Sequence, residues 1–355
     1  MKLDSIKVLQ EQLSNLIGIS GHEEDVGDYI LSIIEKEGLA DKAWKDPLGN
    51  ILAIIKGAKE NERVLFDAHT DEIGFMISHI DQKGFLRFVP VGGWDTRILL
   101  GQSVVIKADS GKIFHGIIGS SPPHLSTLSE RKKIVNIDQM YIDIGLSSKN
   151  DVESSQIGIG SVGTLLSPFV DFPNNMVRGK AFDDRTGCNV LIHLLKEMKN
   201  ITDLNETLLF NFAVQEEFKR IGTVTGAFKL EPTIAIAVEN TTAADVPDIK
   251  PSKIPAQIGM GPAISVADKS IICSPHVNKR LIENAKIGAI PYQIKKPMYG
   301  KTDAGKIQVT REGVKSSVVS VPCRYIHSPT SLLKLDDIHY TIELLKAFII
   351  NEASI

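Results

Sequence analysis

Near-continuous apolar runs at residues 51–55, 64–66, 208–214, 234–238 and 318–321 alternate with segments of helical periodicity. This alternation constrains the chain more than any other feature. A strand that is apolar on both faces has to be covered on both, so the pattern predicts a buried, largely parallel or mixed sheet packed between helices. Ile6, Leu9, Leu13 and Leu16 carry the first helical stripe, and Ser20-Gly21-His22-Glu23 reads as a capping box ahead of Val26, Ile30, Ile33 and Ile34. A last helix is expected over 336–350. Between about 74 and 162 the texture changes to short β-rich pieces broken by Gly, Pro and Asp, with no long helical pattern. That stretch reads as a small all-β barrel or sandwich inserted into the α/β host.

The 355 residues exceed what one ordinary core organises and suggest about two domains at roughly 150 residues each. With 40 Lys+Arg against 43 Asp+Glu, the net charge of −3 gives no basic field to attract nucleic acid or an anionic membrane. No run approaches the roughly 18 apolar residues of a membrane span, and Lys2, Asp4, Lys7 and Gln10 interrupt the N-terminal segment where a signal peptide would be apolar. The three cysteines, Cys188, Cys273 and Cys323, are odd in number and far apart, which argues against a disulfide framework and against a structural zinc site. A cytoplasmic location is the expectation.

In an open α/β sheet, ligands gather outside the carboxyl ends of the strands. Here run 64–66 leads into His69-Thr70-Asp71, run 208–214 into Gln215-Glu216-Glu217, and run 234–238 into Glu239. Asp183-Asp184 stands at the entrance to a helix, and Tyr325-Ile326-His327 offers a second histidine. Two histidines among carboxylates form the mixed nitrogen and oxygen donor set that suits zinc, cobalt or manganese. His69 and Asp71 lie two apart on extended chain, so Asp71 can accept the spare ring N–H of His69. Glu216 and Glu217 are adjacent and face differently in extended geometry, leaving one to hold metal and the other to act as a base. Plainer readings exist beside these: a strand-end histidine in the core, a solvated glutamate pair, and a helix cap at Asp183-Asp184.

Several longer segments then point one way. Phe66-Asp67-Ala68-His69-Thr70-Asp71-Glu72-Ile73-Gly74, Gly92-Gly93-Trp94-Asp95, Lys180-Ala181-Phe182-Asp183-Asp184-Arg185, Val214-Gln215-Glu216-Glu217, Lys301-Thr302-Asp303-Ala304-Gly305, Thr310-Arg311-Glu312-Gly313-Val314 and Ser320-Val321-Pro322-Cys323-Arg324-Tyr325-Ile326-His327-Ser328-Pro329 occur in order along nearly the whole chain. In these the chain resembles the glutamyl aminopeptidase and cellulase-M-like family of tetrahedral (TET) aminopeptidases.

The resemblance implies an α/β metallopeptidase-like domain, residues 1–72 and 164–355, whose central mixed sheet is covered by helices, and an inserted small β-barrel oligomerisation domain at 73–163. It implies two divalent metal ions per subunit, zinc, cobalt or manganese. Asp183 would bridge them, with His69 and Glu239 on one ion and Glu217 and His327 on the other. Glu216 would be the general base, Asp71 would orient His69, and the Asp183-Asp184 peptide bond would be cis. The implied reaction is metal-dependent removal of N-terminal residues from peptides, inside a homo-oligomer that is commonly a dodecamer.

The chain departs from the family pattern in three places. Glu239 stands where aspartate is usual, Phe218-Lys219-Arg220-Ile221-Gly222-Thr223 replaces Val-Gly-Leu-Arg-Gly-Ala, and Lys301 stands where glycine is common. Lys301, Thr302 and Asp303 are expected to line the pocket for the first side chain, with Lys301 favouring an acidic one. Two other readings are a shell-forming relative that has lost catalysis, and a glycoside hydrolase. The latter needs two carboxyls about 5 to 9.5 Å apart across a sugar, and only 6% of residues are aromatic to stack one.

Overall fold

The computed structural model describes residues 2–125 and 127–351. Helices α1 (Leu3–Asn15) and α2 (Glu24–Glu37) precede β1 (Lys42–Lys45), β2 (Ile51–Ile55) and β3 (Lys59–His69). The chain then enters β4 (Gly74–Ile80), β5 (Leu86–Val91), β6 (Ser103–Lys107), β7 (Ile113–Gly119), β8 (Tyr141–Asp143), α3 (Lys149–Ser154) and β9 (Val162–Leu165). After these come β10 (Val170–Phe172), β11 (Met176–Gly179), α4 (Phe182–Met198), β12 (Glu206–Ala213), α5 (Glu216–Lys219), α6 (Ile221–Leu230) and β13 (Ile234–Thr242). The last elements are β14 (Ala263–Ser265), α7 (Pro275–Ile287), β15 (Gln293–Lys295), α8 (Ala304–Ile307), β16 (Lys315–Cys323), β17 (Ser331–Lys334) and α9 (Leu335–Ile350).

The alternation folds into an eight-stranded mixed sheet of order β1-β2-β12-β3-β13-β16-β14-β15. Its four central strands, β12, β3, β13 and β16, are parallel, and β2 and β14 flank them antiparallel. Alternation along β3 explains the two cores. Val64 and Phe66 face one side, where Phe210, Ile236 and Val319 meet Ile6 and Leu13 of α1, Leu191 and Leu195 of α4, and Ile342 and Leu345 of α9. Leu65 faces the other side, packing with Leu52, Leu209 and Ala235 against Ala227 and Leu230 of α6 and Ile307 of α8. Each fully buried side chain of this size contributes about 1.5 to 3 kcal/mol.

Strands β4-β5-β8-β7-β6-β9 close into an antiparallel barrel with its own core of Phe75, Ile77, Phe88, Ile106, Ile118 and Ile142. Sheet and barrel meet at Glu72. Its carboxylate accepts from Lys180 Nζ at 2.7 Å and from Thr164 Oγ1, on β9, at 3.0 Å. The fully buried Arg185 donates to the carbonyls of Leu13 and Thr70, both at 2.6 Å, and so ties the first helix to the strand end that carries the candidate site.

Two local expectations change. Ser20 does not cap α2: the residue at the cap position is Glu23, with no side-chain cap bond, and the Ser20 hydroxyl turns to Asp71 instead. Strand β13 does not stop at Val238, because pairing with β16 continues through Thr242 opposite Cys323. Glu239 therefore lies within a strand rather than beyond its end.

Candidate metal centre

Five chain segments converge at the carboxyl edge of the parallel strands. β3 ends at His69, whose Nε2 lies 3.4 Å from Asp183 Oδ1 and 3.9 Å from Glu216 Oε2. The other Asp183 oxygen faces His327, with Nε2 to Oδ2 at 3.3 Å, and the same His327 nitrogen lies 3.0 Å from Glu217 Oε1. At residues 183 and 184 the chain leaves helical geometry, and the Asp183 side chain faces both histidines. The Asp183-Asp184 peptide bond is cis, as the resemblance implies. Capping falls to Asp184, which accepts from Gly187 N at 3.0 Å and from His69 N at 3.3 Å. The helix-cap reading therefore holds for one of the two aspartates.

Asp71 connects the halves. One of its oxygens lies 3.4 Å from His69 Nδ1, whose hydrogen-bonding neighbour is the Asp71 backbone carbonyl at 3.2 Å. The same carboxylate accepts from the backbone N–H groups of Glu216 at 2.9 Å and Glu217 at 3.0 Å, and from Ser20 Oγ at 2.5 Å. The two glutamates start a helical turn rather than an extended segment, and they still diverge: Glu216 toward His69, Glu217 toward His327.

Three overlapping trios emerge: His69, Asp183 and Glu239; His69, Glu216 and Glu217; and Asp183, Glu217 and His327. Within each, the donor atoms all lie within 4.8 Å of one another. The electrostatics favour cations there. Burial, then the like charges of Glu217, Asp71 and Asp183, lift Glu216 to about 8. Burial, then Glu216 and Asp183, raise Glu239. Against burial, contacts with Asp183 and Glu217 push His327 up to about 11, and Asp183 and Asp71 raise His69 likewise. Positive charge is stabilised wherever it can form. Asp183 Oδ1 is buried with no hydrogen-bond partner among the described residues, an acceptor directed into the cluster. Imidazole and carboxylate donors with an unsatisfied acceptor among them fit divalent metal.

A cavity of about 530 Å³ opens onto the cluster, and its lining also includes Phe218, Lys269, Lys295, Tyr299, Lys301 and Thr302. Lys301 is exposed at the rim. Asp303, expected in the pocket, is not part of that lining: it is 1% exposed, and its backbone N–H donates to Glu239 Oε1 at 2.8 Å. The buried turn carrying Thr302, whose hydroxyl donates to Asp268 at 2.7 Å, draws Asp303 beneath the site.

Other participants escaped the sequence reading. Gly93 brings the barrel to the site, its carbonyl 3.1 Å from His327 Nδ1, and a Cβ there would sit 3.2 Å from that nitrogen. Arg220, at a left-handed break between α5 and α6, places Nη1 3.3 Å from Glu216 Oε1. Lys295 lies buried in the cavity wall. Of these, Gly93 and Arg220 stand in segments that the sequence marks out, Gly92-Gly93 and Phe218-Lys219-Arg220, and Lys295 does not.

Residues 49–344 match the M42 glutamyl aminopeptidase family. The lysyl aminopeptidase of Pyrococcus furiosus is 31% identical over 348 residues, covering 96% of each chain. Among solved structures, the TET aminopeptidase of the marine sediment archaeon Thaumarchaeota archaeon SCGC AB-539-E09 superposes with a TM-score of 0.94 at 38% identity, covering 98% of this chain and 97% of that one. The Pyrococcus horikoshii TET1 peptidase, described as assembling into a tetrahedron or a large octahedral shell, gives 0.86 at 32%, covering 97% and 99%. The fold, the edge of the sheet on which the cluster sits and these likenesses agree, and the chain belongs to the M42 glutamyl aminopeptidase family of peptide hydrolases.

Proposed function

We propose that this M42 peptidase removes N-terminal residues from peptides at a dinuclear site, with Glu216 as general base. The observation that carries this reading is the Asp183 carboxylate, which offers one oxygen toward His69 at 3.4 Å and the other toward His327 at 3.3 Å. That is the arrangement a bridging ligand needs. His69 and Glu239 would complete one ion's protein ligands, and Glu217 and His327 the other's. Bound divalent ions, zinc, cobalt or manganese, supply Lewis acidity to the scissile carbonyl and to the attacking water.

The chain's own groups do the rest. Glu216 takes the proton of the attacking water as the C–O bond forms, then hands it to the leaving amine nitrogen as the C–N bond breaks. Asp71 holds the backbone of Glu216 and the ring of His69 in one frame, so that base and ligand stay in register. The surrounding carboxylates receive the substrate's free α-ammonium, which confines cleavage to chain ends. Lys301 and Thr302 at the cavity wall would meet the first side chain, and Lys301 would favour an acidic one.

The barrel, residues 73–163, is proposed as the oligomerisation domain of a closed homo-oligomer, of twelve subunits in the tetrahedral form. The shell of the P. horikoshii relative supports the self-association. Hydrolysis of aminoacyl-p-nitroanilides, before chelation, after it, and after adding back each metal, tests the catalytic reading. Activity lost and restored, with N-acetylated substrates left intact, is the expected result. No activity with any metal or residue would favour a shell-forming protein without catalysis.

A further inference from the structure

Helix α5 ends at Lys219, and the next residue, Arg220, stands in the left-handed region with φ +57°. A side chain other than glycine is held there when its surroundings fix the backbone. Here Arg220 N donates to Glu216 O at 3.0 Å, and two residues on Gly222 N donates to Val214 O at 3.0 Å. The turn brings the Arg220 side chain back to the start of its own helix, where Nη1 lies 3.3 Å from Glu216 Oε1.

That is the one hydrogen bond the guanidinium makes among the described residues, and Nε is buried without a partner. An arginine that serves to hold a carboxylate commonly presents its fork to both oxygens. Arg220 meets one oxygen with one nitrogen, its other donors are uncommitted, and the residue lines the cavity. It also stands where the family pattern has leucine, so its role belongs to this chain rather than to that pattern.

Contact with Glu216 decides what Arg220 can meet. Glu216, as the base, hands its proton to the leaving amine, which places that nitrogen within hydrogen-bonding distance of the Glu216 carboxylate. In a dipeptide the terminal carboxylate carbon lies two bonds from the same nitrogen, about 2.5 Å away. A cation touching Glu216 is within reach of it. Without that cation the terminal carboxylate would meet Glu216 and Glu217 as like charges. A longer or amidated peptide puts a neutral amide in the same place.

We propose that Arg220 is a specificity-determining residue, pairing with the C-terminal carboxylate of a dipeptide so that this peptidase favours dipeptides over amidated and longer peptides. This rests on the aminopeptidase reading above, with Glu216 as base.

The test compares kcat and KM for leucyl-alanine, leucyl-alaninamide and leucyl-alanyl-alanine, and for the glutamyl series, from the amount of first residue released. The proteins are the wild type, Arg220→Leu, Arg220→Gln, Arg220→Lys and Lys301→Ala, each checked for metal content and thermal unfolding. Dipeptide and amide differ in the terminal charge alone, so a change in the base or in metal loading acts on both and cancels from their ratio. The wild type should favour the dipeptide over its amide by about tenfold or more in kcat/KM. Arg220→Leu and Arg220→Gln should bring the ratio to about one or below, chiefly through KM. Arg220→Lys should keep part of it, and Lys301→Ala should leave it within about threefold.

An unchanged ratio in folded, metal-loaded Arg220→Leu or Arg220→Gln overturns the proposal. So does a wild type that cleaves the amide as well as the dipeptide. If no substrate is cleaved with any metal, the aminopeptidase reading fails, and binding of the uncleaved leucyl-alanine decides Arg220 separately. The dipeptide should then raise the unfolding temperature of the wild type more than its amide does, and the difference should vanish in Arg220→Leu. A difference absent from the wild type, or surviving in Arg220→Leu, overturns the anchor.

Discussion

The carboxylate of Asp71 accepts the backbone N–H of Glu216 at 2.9 Å. The same group lies 3.4 Å from the ring of His69 and also accepts from Glu217 N, so one side chain sets the relative position of a proposed ligand and the proposed base. In Asp71→Asn one acceptor oxygen becomes an NH₂ that faces a backbone donor or the ring. The expected loss is about 10- to 100-fold in kcat/KM or in metal affinity, the range seen when a ligand's supporting partner is removed. Kinetics with metal titration measure it. A variant within twofold of wild type in both would show that Asp71 does not hold the site in register.

Glu216 can be told apart from the ligands around it. It belongs to one of the three donor trios, but its carboxylate also meets Arg220, at 3.3 Å. Glu216→Gln should lower kcat by about 10²- to 10⁴-fold, the usual contribution of a positioned base, with metal content unchanged. Loss of metal along with activity would make Glu216 a ligand instead.

Burial, followed by the like charge of Asp71, raises the Glu23 carboxyl to about 7 from an ordinary 4.5. Between those values the native state holds a proton that the unfolded chain has released, so stability declines as pH rises from about 4.5 to 7 and is level above. Glu23→Gln keeps an acceptor oxygen for Gly21 N and Gln215 N and removes the titration. It should match the wild type near pH 4.5 and exceed it above pH 7 by up to about 3 kcal/mol. Urea unfolding of chelated protein at the two pH values checks this, and parallel pH dependence in both proteins would contradict it.

The parts of the site that stood at the ends of apolar runs were legible in the sequence. His69, Asp71, Glu216 and Glu217 follow strands whose burial is written in their composition, and the edge on which ligands gather follows from topology. Glu239 was found for a partly mistaken reason, since β13 runs on past it once β16 supplies partners. Ser20 looked like a cap because local spacing carries no information on Asp71, 51 residues away. Lys295 gave no signal at all. A lysine in a three-residue strand reads as surface, and only the pairing of β15 with β14 turns it inward. Asp303 erred the other way, since a polar loop motif reads as accessible until the Thr302 to Asp268 bond folds it under.

The central claim is that Asp183 joins two ions, and counting them tests it most directly. Zinc measured by mass spectrometry in protein loaded and then dialysed should come to two per subunit, should fall to about one in His327→Ala, and should fall further in Asp183→Ala, because both sites lose a ligand together. One ion per subunit in the wild type, or two retained in Asp183→Ala, would contradict the account.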